Sequence, residues 1–172
     1  MGVDESWDDL RFPASQLKAG VANPPDFVNL VGNVYCLGFD KTTDEDVHFI
    51  AQMPHAWKEG SEIRPHIHWT SKTGNSGNVV WVLEYTKAAV NGSFPATTSE
   101  SKTLANPSQY EHKVQRFSAI DMTGCKLSTI LICRLSRDAN NELDTLDEDA
   151  YLLEIDFHFQ RDAFGSEEEF VK

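Results

Sequence analysis

No run of about 18 apolar residues interrupts this 172-residue chain, and its first ten residues, MGVDESWDDL, are acidic with no apolar core. Neither a membrane span nor a secretion signal is therefore expected, and the chain reads as a protein made in a cytoplasm. Basic residues are scarce: 15 Lys and Arg face 27 Asp and Glu, for a formal charge of −12. A field of that sign repels phosphate backbones and argues against sequence-independent binding of nucleic acid. Cysteine is limited to Cys36, Cys125 and Cys133, an odd number without CxxC spacing. With two of the three inside apolar runs, they are expected to be reduced and mostly buried. Catalytic signatures are missing too. There is no G-x-S-x-G, no phosphate-binding glycine loop and no HExxH, so no cofactor is expected and the reading is non-enzymatic.

Long amphipathic helices are absent as well, and strands take their place. Val34–Phe39 is short and apolar, while Asp46–Met53 and Asn78–Lys87 alternate apolar with polar residues at period two. Within Met53–Thr70, the segment from Glu62 to Ser71 sends Ile63, Pro65, Ile67 and Trp69 one way and Arg64, His66, His68 and Thr70 the other. Pro54–Gly60 is a loop expected to fold Trp57 back over the sheet, with His55 in it. Lys72–Asn78 has the composition of a hairpin, which would make Glu62–Lys87 an antiparallel pair.

An edge strand near Thr97–Leu104 and three later strands, Tyr110–Asp121, Ser128–Arg137 and Tyr151–Arg161, complete the set, the apolar Ser128–Arg137 being suited to a central position. In the last strand Leu153, Ile155, Phe157 and Phe159 share a face. These seven or eight strands predict an all-β, jelly-roll-like antiparallel β-sandwich over residues 26–164, with Trp69, Trp81, Ile67, Leu83, Ile155 and Phe157 in its core. Residues 1–25 are expected as an extended arm with Trp7, Leu10 and Phe12 as anchors, lying on its own domain or reaching a neighbour. Residues 165–172 are expected as an acidic, mobile tail.

Four constellations could carry chemistry. Gly60 followed by His66 and His68 opens like the cupin motif G-x5-H-x-H, since two imidazoles two apart on a strand can converge on one cation. The glutamate that should follow is missing, and His158 is the remaining histidine for a metal set. Arg64, His66, His68, Glu84, Glu154, Asp156 and His158 could also gather as one charged cluster if their strands are adjacent; the plainer use is a surface or subunit interface. Asp138–Asp149 has carboxylates near calcium-loop spacing but lacks the glycine of that loop. Trp57, Trp69 and Trp81 could make an aromatic sugar platform, of which an exposed Trp57 would be the sign; the plainer use of all three is core packing.

The string from Val47 to Gly92, with PHAWKEGSEIRPHIHW as its specific part, resembles a family of small structural proteins of tailed bacteriophage virions. The resemblance covers about the middle third of the chain and rests on His55, Trp57, Lys58, Glu59, Gly60, His66, His68 and Trp69. It implies a virion protein on the capsid surface, a decoration or cement protein that binds the major capsid protein, as a homo-oligomer and most simply a trimer. Trp7, Leu10, Phe12, His55, Trp57, Arg64, His66 and His68 would supply its interface. Two alternatives stand beside it: a cupin-like metal-binding enzyme or sensor using His66, His68 and His158, and a tail or fibre component that binds carbohydrate.

Overall fold

The computed structural model of the chain describes residues 6–169 and 171–172. Eleven strands form among them: β1 (Ser6–Pro13), β2 (Lys18–Ala19), β3 (Asp26–Val31), β4 (Val34–Phe39), β5 (Glu45–Gln52), β6 (Ile63–Thr70), β7 (Asn78–Ala88), β8 (Thr98–Ala105), β9 (Lys113–Arg116), β10 (Ile130–Arg137) and β11 (Ala150–Arg161). A six-stranded sheet runs β3-β4-β11-β6-β9 with β1 also on β11, and a five-stranded sheet runs β2-β5-β10-β7-β8. Every pairing is antiparallel. From β4 to β7 and again from β9 to β11 the chain changes sheet at each step, the winding of a jelly roll. The all-β sandwich expected from the alternating strands is therefore what forms, with β10 central in its sheet and β8 at an edge.

Apolar faces decide which strands can be neighbours. Trp69 on β6 and Trp81 on β7 meet edge to face across the core with ring centroids 6.2 Å apart. Two inward faces can oppose one another only from opposite sheets. The expected hairpin over Glu62–Lys87 is thus corrected: Lys72–Asn78 crosses from one sheet to the other. All six residues expected in the core are buried, each at 1% exposure or less, and each contributes roughly 1.5–3 kcal/mol by leaving water.

Of the two placements expected for the arm over residues 1–25, the described part takes the one on its own domain, and takes it as a strand. Ser6–Pro13 is a strand paired along its whole length with β11. Leu10 and Phe12 pack against the core, Phe12 touching Phe49 and Phe157 at centroid distances of 4.9 and 6.0 Å. The first five residues of that expected arm lie outside the described residues. The edge of β11 opposite β6 is shared, β4 taking Ala150–Leu152 and β1 taking Glu154–Arg161. The β3–β4 hairpin, turning at Gly32 with φ 55°, was absent from the sequence reading.

A bulge corrects the face assigned to Leu153. Leu152 lies opposite Trp69 and Glu154 opposite His68, so Leu153 is an extra residue. It packs on the small outer cluster of Leu30, Cys36 and Tyr151, while Ala150 and Leu152 enter the main core.

The acidic connection Asp138–Asp149 is held by a fully buried cation. Arg137 donates to both carboxylate oxygens of Asp144 at 2.8 and 3.0 Å, and to the carbonyls of Phe39, Leu146 and Glu148. Asp144 also accepts the backbone N–H of Val80. Its carboxylate is therefore committed to the protein, which removes the calcium-loop reading.

Candidate functional site

The period-two alternation of β6 leaves Arg64, His66 and His68 on the outer face of the six-stranded sheet, and pairing decides what stands beside them. On β11, His158 lies opposite Arg64, Asp156 opposite His66 and Glu154 opposite His68. On β1, Asp9 faces His158 and Arg11 faces Asp156. The expected charged cluster thus assembles with one exception. Glu84 belongs to the other sheet, where it bonds Arg134.

Asp156 is the centre of the cluster. Its side chain is only 4% exposed, with His66 Nε2 at 2.6 Å from Oδ1 and His68 Nε2 at 3.0 Å from Oδ2. The His68 contact is a hydrogen bond. The His66 ring N–H is not aimed at Oδ1, which is buried without a donor despite the short separation. The pairing of His66 with Asp156 holds this imidazole above its ordinary pKa range, against the opposing effect of burial. Around this centre, His68 Nδ1 lies 2.7 Å from His112 Nε2, and His66 Nδ1 lies 3.4 Å from the Arg64 carbonyl. Arg11 clamps Glu154 with two bonds of 2.8 Å.

His158 does not join the two other histidines at the carboxylate. Its Nδ1 is 2.7 Å from Asp9, and its ring stacks on Trp7 with centroids 5.0 Å apart. Asp156, and not the expected His158, stands with His66 and His68, because the cross-strand partner of His66 is residue 156. Arg64 bonds Glu62 and lies over the Trp7 ring at 4.3 Å.

The remaining expected interface residues are dispersed. Trp57 is fully buried in the core, which corrects its use as an exposed contact or sugar platform. His55 is half-buried and bonds Ser166 of the expected tail at 2.9 Å. Trp7 is 37% exposed, whereas Leu10 and Phe12 are inward.

The sequence reading missed a hollow next to the histidines. It measures about 290 Å³ and is walled by Leu30, Val31, Val34, Thr70, Tyr110, His112 and Leu153. His112 both lines it and bonds His68. Tyr110 is held there at φ 58°, a region that a bulky side chain rarely adopts. A larger hollow of about 350 Å³ lies between the end of β8 and β9, lined by Trp69, residues 103–108, Glu111, Lys113 and Gln115, and includes neither His66 nor Asp156. Tyr110, two residues before His112 in an otherwise polar link, was the one signal that sequence offered.

No family model matches the chain, and no curated protein matches it. Solved structures do. The CBM36-1 domain of a multidomain xylanase from the hindgut metagenome of Trinervitermes trinervoides is 9% identical with a TM-score of 0.50, over 87% of this chain and 96% of that one. TmCBM61, solved with β-1,4-galactotriose, is 10% identical with a TM-score of 0.39, over 90% and 88%. The enzymatically active domain of tailspike protein 4 of bacteriophage CBA120 is 8% identical with a TM-score of 0.38, over 87% of this chain but only 19% of that one. What the chain shares with the first of these is its fold, a two-sheet β-sandwich.

Proposed function

We propose that the chain is a non-enzymatic recognition module of a bacteriophage virion, carried on a tail or fibre, and that its ligand is a carbohydrate held on the outer face of the six-stranded sheet. The observation that carries this reading is the juxtaposition there of the apolar hollow under Tyr110 with a fixed row of hydrogen-bonding side chains. A sugar ring has an apolar C–H face suited to an aromatic wall and hydroxyls suited to imidazoles and carboxylates. Concave apolar sites with a few convergent polar groups are the usual form of small-ligand sites. The fold supplies a scaffold of the right size, and the choice of sugar rests on the surface.

The test is an array of bacterial cell-surface and plant oligosaccharides probed with the full chain, followed by titration of the best ligand. Binding is expected, and Tyr110→Ala should weaken it by at least about tenfold, or roughly 1.4 kcal/mol. An array without a ligand, or an unchanged affinity in the variant, would overturn the reading.

Capsid decoration is the second reading, with the major capsid protein as partner and a trimer as the assembly. It is favoured by Phe27 and Tyr35, which stack at 5.7 Å on the β3–β4 hairpin while 57% and 58% exposed. Exposed apolar side chains on an edge hairpin suit a protein partner. Binding of the chain to undecorated heads should then be lost in Phe27→Ser with Tyr35→Ser; binding retained by that variant would dismiss it.

A further inference from the structure

We propose that His66, His68 and Asp156 form a binding site for one divalent first-row metal ion of the zinc class, with coordination left open toward solvent. The proposal stands apart from the carbohydrate reading and would survive its failure. One ligand atom from each of the three residues lies within 4.8 Å of the others.

The ring partners set the chemistry. His66 Nδ1 faces the Arg64 carbonyl, which can only accept, and His68 Nδ1 faces the second imidazole, His112. On metal binding, with Nδ1–H donated outward, each histidine would lose its Nε2 proton to solvent and turn that lone pair toward the ion, His68 exchanging its hydrogen bond to Asp156 for the metal. Metal-bound histidines are oriented in this way by a partner on the other ring nitrogen. Three electron-pair donors would then converge on one small space, and Asp156 Oδ1 is buried there without a hydrogen-bond donor. Only positive charge between them relieves that arrangement, and a metal ion supplies it at one point. The cross-strand pair of His66 with Asp156 gives the site rigidity, since both residues lie inside paired strands.

The donors select the ion. Two imidazoles and one carboxylate suit zinc and its first-row neighbours, whereas calcium and magnesium prefer oxygen alone. Ligand atoms around zinc stand roughly 3.3 Å apart, given bonds near 2.0–2.2 Å. The present separations of 2.6 and 3.0 Å require the His66 imidazole to retreat by about 0.7 Å and that of His68 by about 0.3 Å. Solvent reaches the site because the His66 and His68 side chains are 13% and 21% exposed.

The experiment uses the full chain, stripped with chelator and titrated with Zn2+, and with Co2+ as a spectroscopic probe. One Zn2+ per chain is expected, together with visible Co2+ bands of a low-coordinate nitrogen and oxygen site and a melting temperature that rises with Zn2+ and falls back on chelation. Asp156→Asn and His68→Gln should each weaken binding at least a hundredfold. His112→Ala, which removes the partner of His68, should cost about tenfold. His48→Gln, which alters an exposed histidine beside Asp46 on the other sheet, should change nothing. Should a ligand variant fail to fold, the Zn2+ dependence of the wild-type melting temperature and the Co2+ spectrum decide alone. Absence of both, or equal uptake by the folded ligand variants, would overturn the site.

Discussion

At the scale of single residues, burial separates side chains that the sequence leaves alike. Arg134 and Arg137 stand on the same strand, yet only Arg137 is fully buried, bonded to Asp144, Leu146 and Glu148 of the loop it organises and to the Phe39 carbonyl of β4. Arg137→Ala would leave Asp144 as an uncompensated buried charge and should cost about 3–5 kcal/mol, measured by urea unfolding. Adding Asp144→Ala should recover part of that loss, because no charge then remains unpaired. The cysteines divide in the same way. Burial pushes the Cys36 thiol up to about 11 and raises Cys133 further, while Cys125 is partly exposed. Alkylation of the native chain should therefore modify Cys125 first, with the other two reacting only on unfolding, as mass spectrometry of timed samples would show.

At the scale of elements, β1 shows how pairing overrides local text. Ser-Trp-Asp-Asp-Leu-Arg-Phe-Pro carries two adjacent aspartates and a proline and has little strand propensity of its own. It forms a strand because the free edge of β11 offers unpaired backbone groups and a cleft for Leu10 and Phe12. Phe12→Ala should consequently destabilise the domain by about 2–4 kcal/mol, as for other large-to-small changes against a core. Deletion of residues 1–13 should cost more than the point variant, and equal melting temperatures for the truncated and full chains would contradict that role. The same pairing explains why Trp7, an anchor in the sequence reading, ends beside His158 and Arg64 on the outer face.

For the molecule as a whole, the excess of acid groups makes stability a function of pH. The backbone N–H of Leu127 and the ammonium of Lys126 hold the Glu59 carboxyl below its ordinary range. Asp40 is lowered by the hydroxyl and backbone N–H of Thr42. For both, the folded pKa lies under the unfolded one. Each therefore contributes stability that is present above the unfolded value and is lost as pH falls through the folded one. Glu45, raised by burial, works in the opposite sense. With Glu59→Gln, stability between about pH 5 and pH 3 should fall less steeply than in the wild type. Thermal melts across that range supply the comparison, and parallel curves would remove Glu59 from the account.

The sequence by itself determined the fold class, most of the strands and which of their faces turn inward, because period-two alternation is a local property of the chain. It also placed His66 and His68 together, since residues two apart on a strand must share a face. Tertiary structure alone decided which strands are neighbours. Pairing across β11 supplied Asp156 instead of His158, sent Glu84 to the other sheet and turned the expected arm into β1. The bulge at Leu153 reversed a face that strict alternation had fixed, and burial withdrew Trp57 from the surface. These outcomes depend on contacts between residues far apart in the chain, such as Arg11 with Glu154 or His68 with His112, and no local periodicity encodes which distant edge a strand will meet.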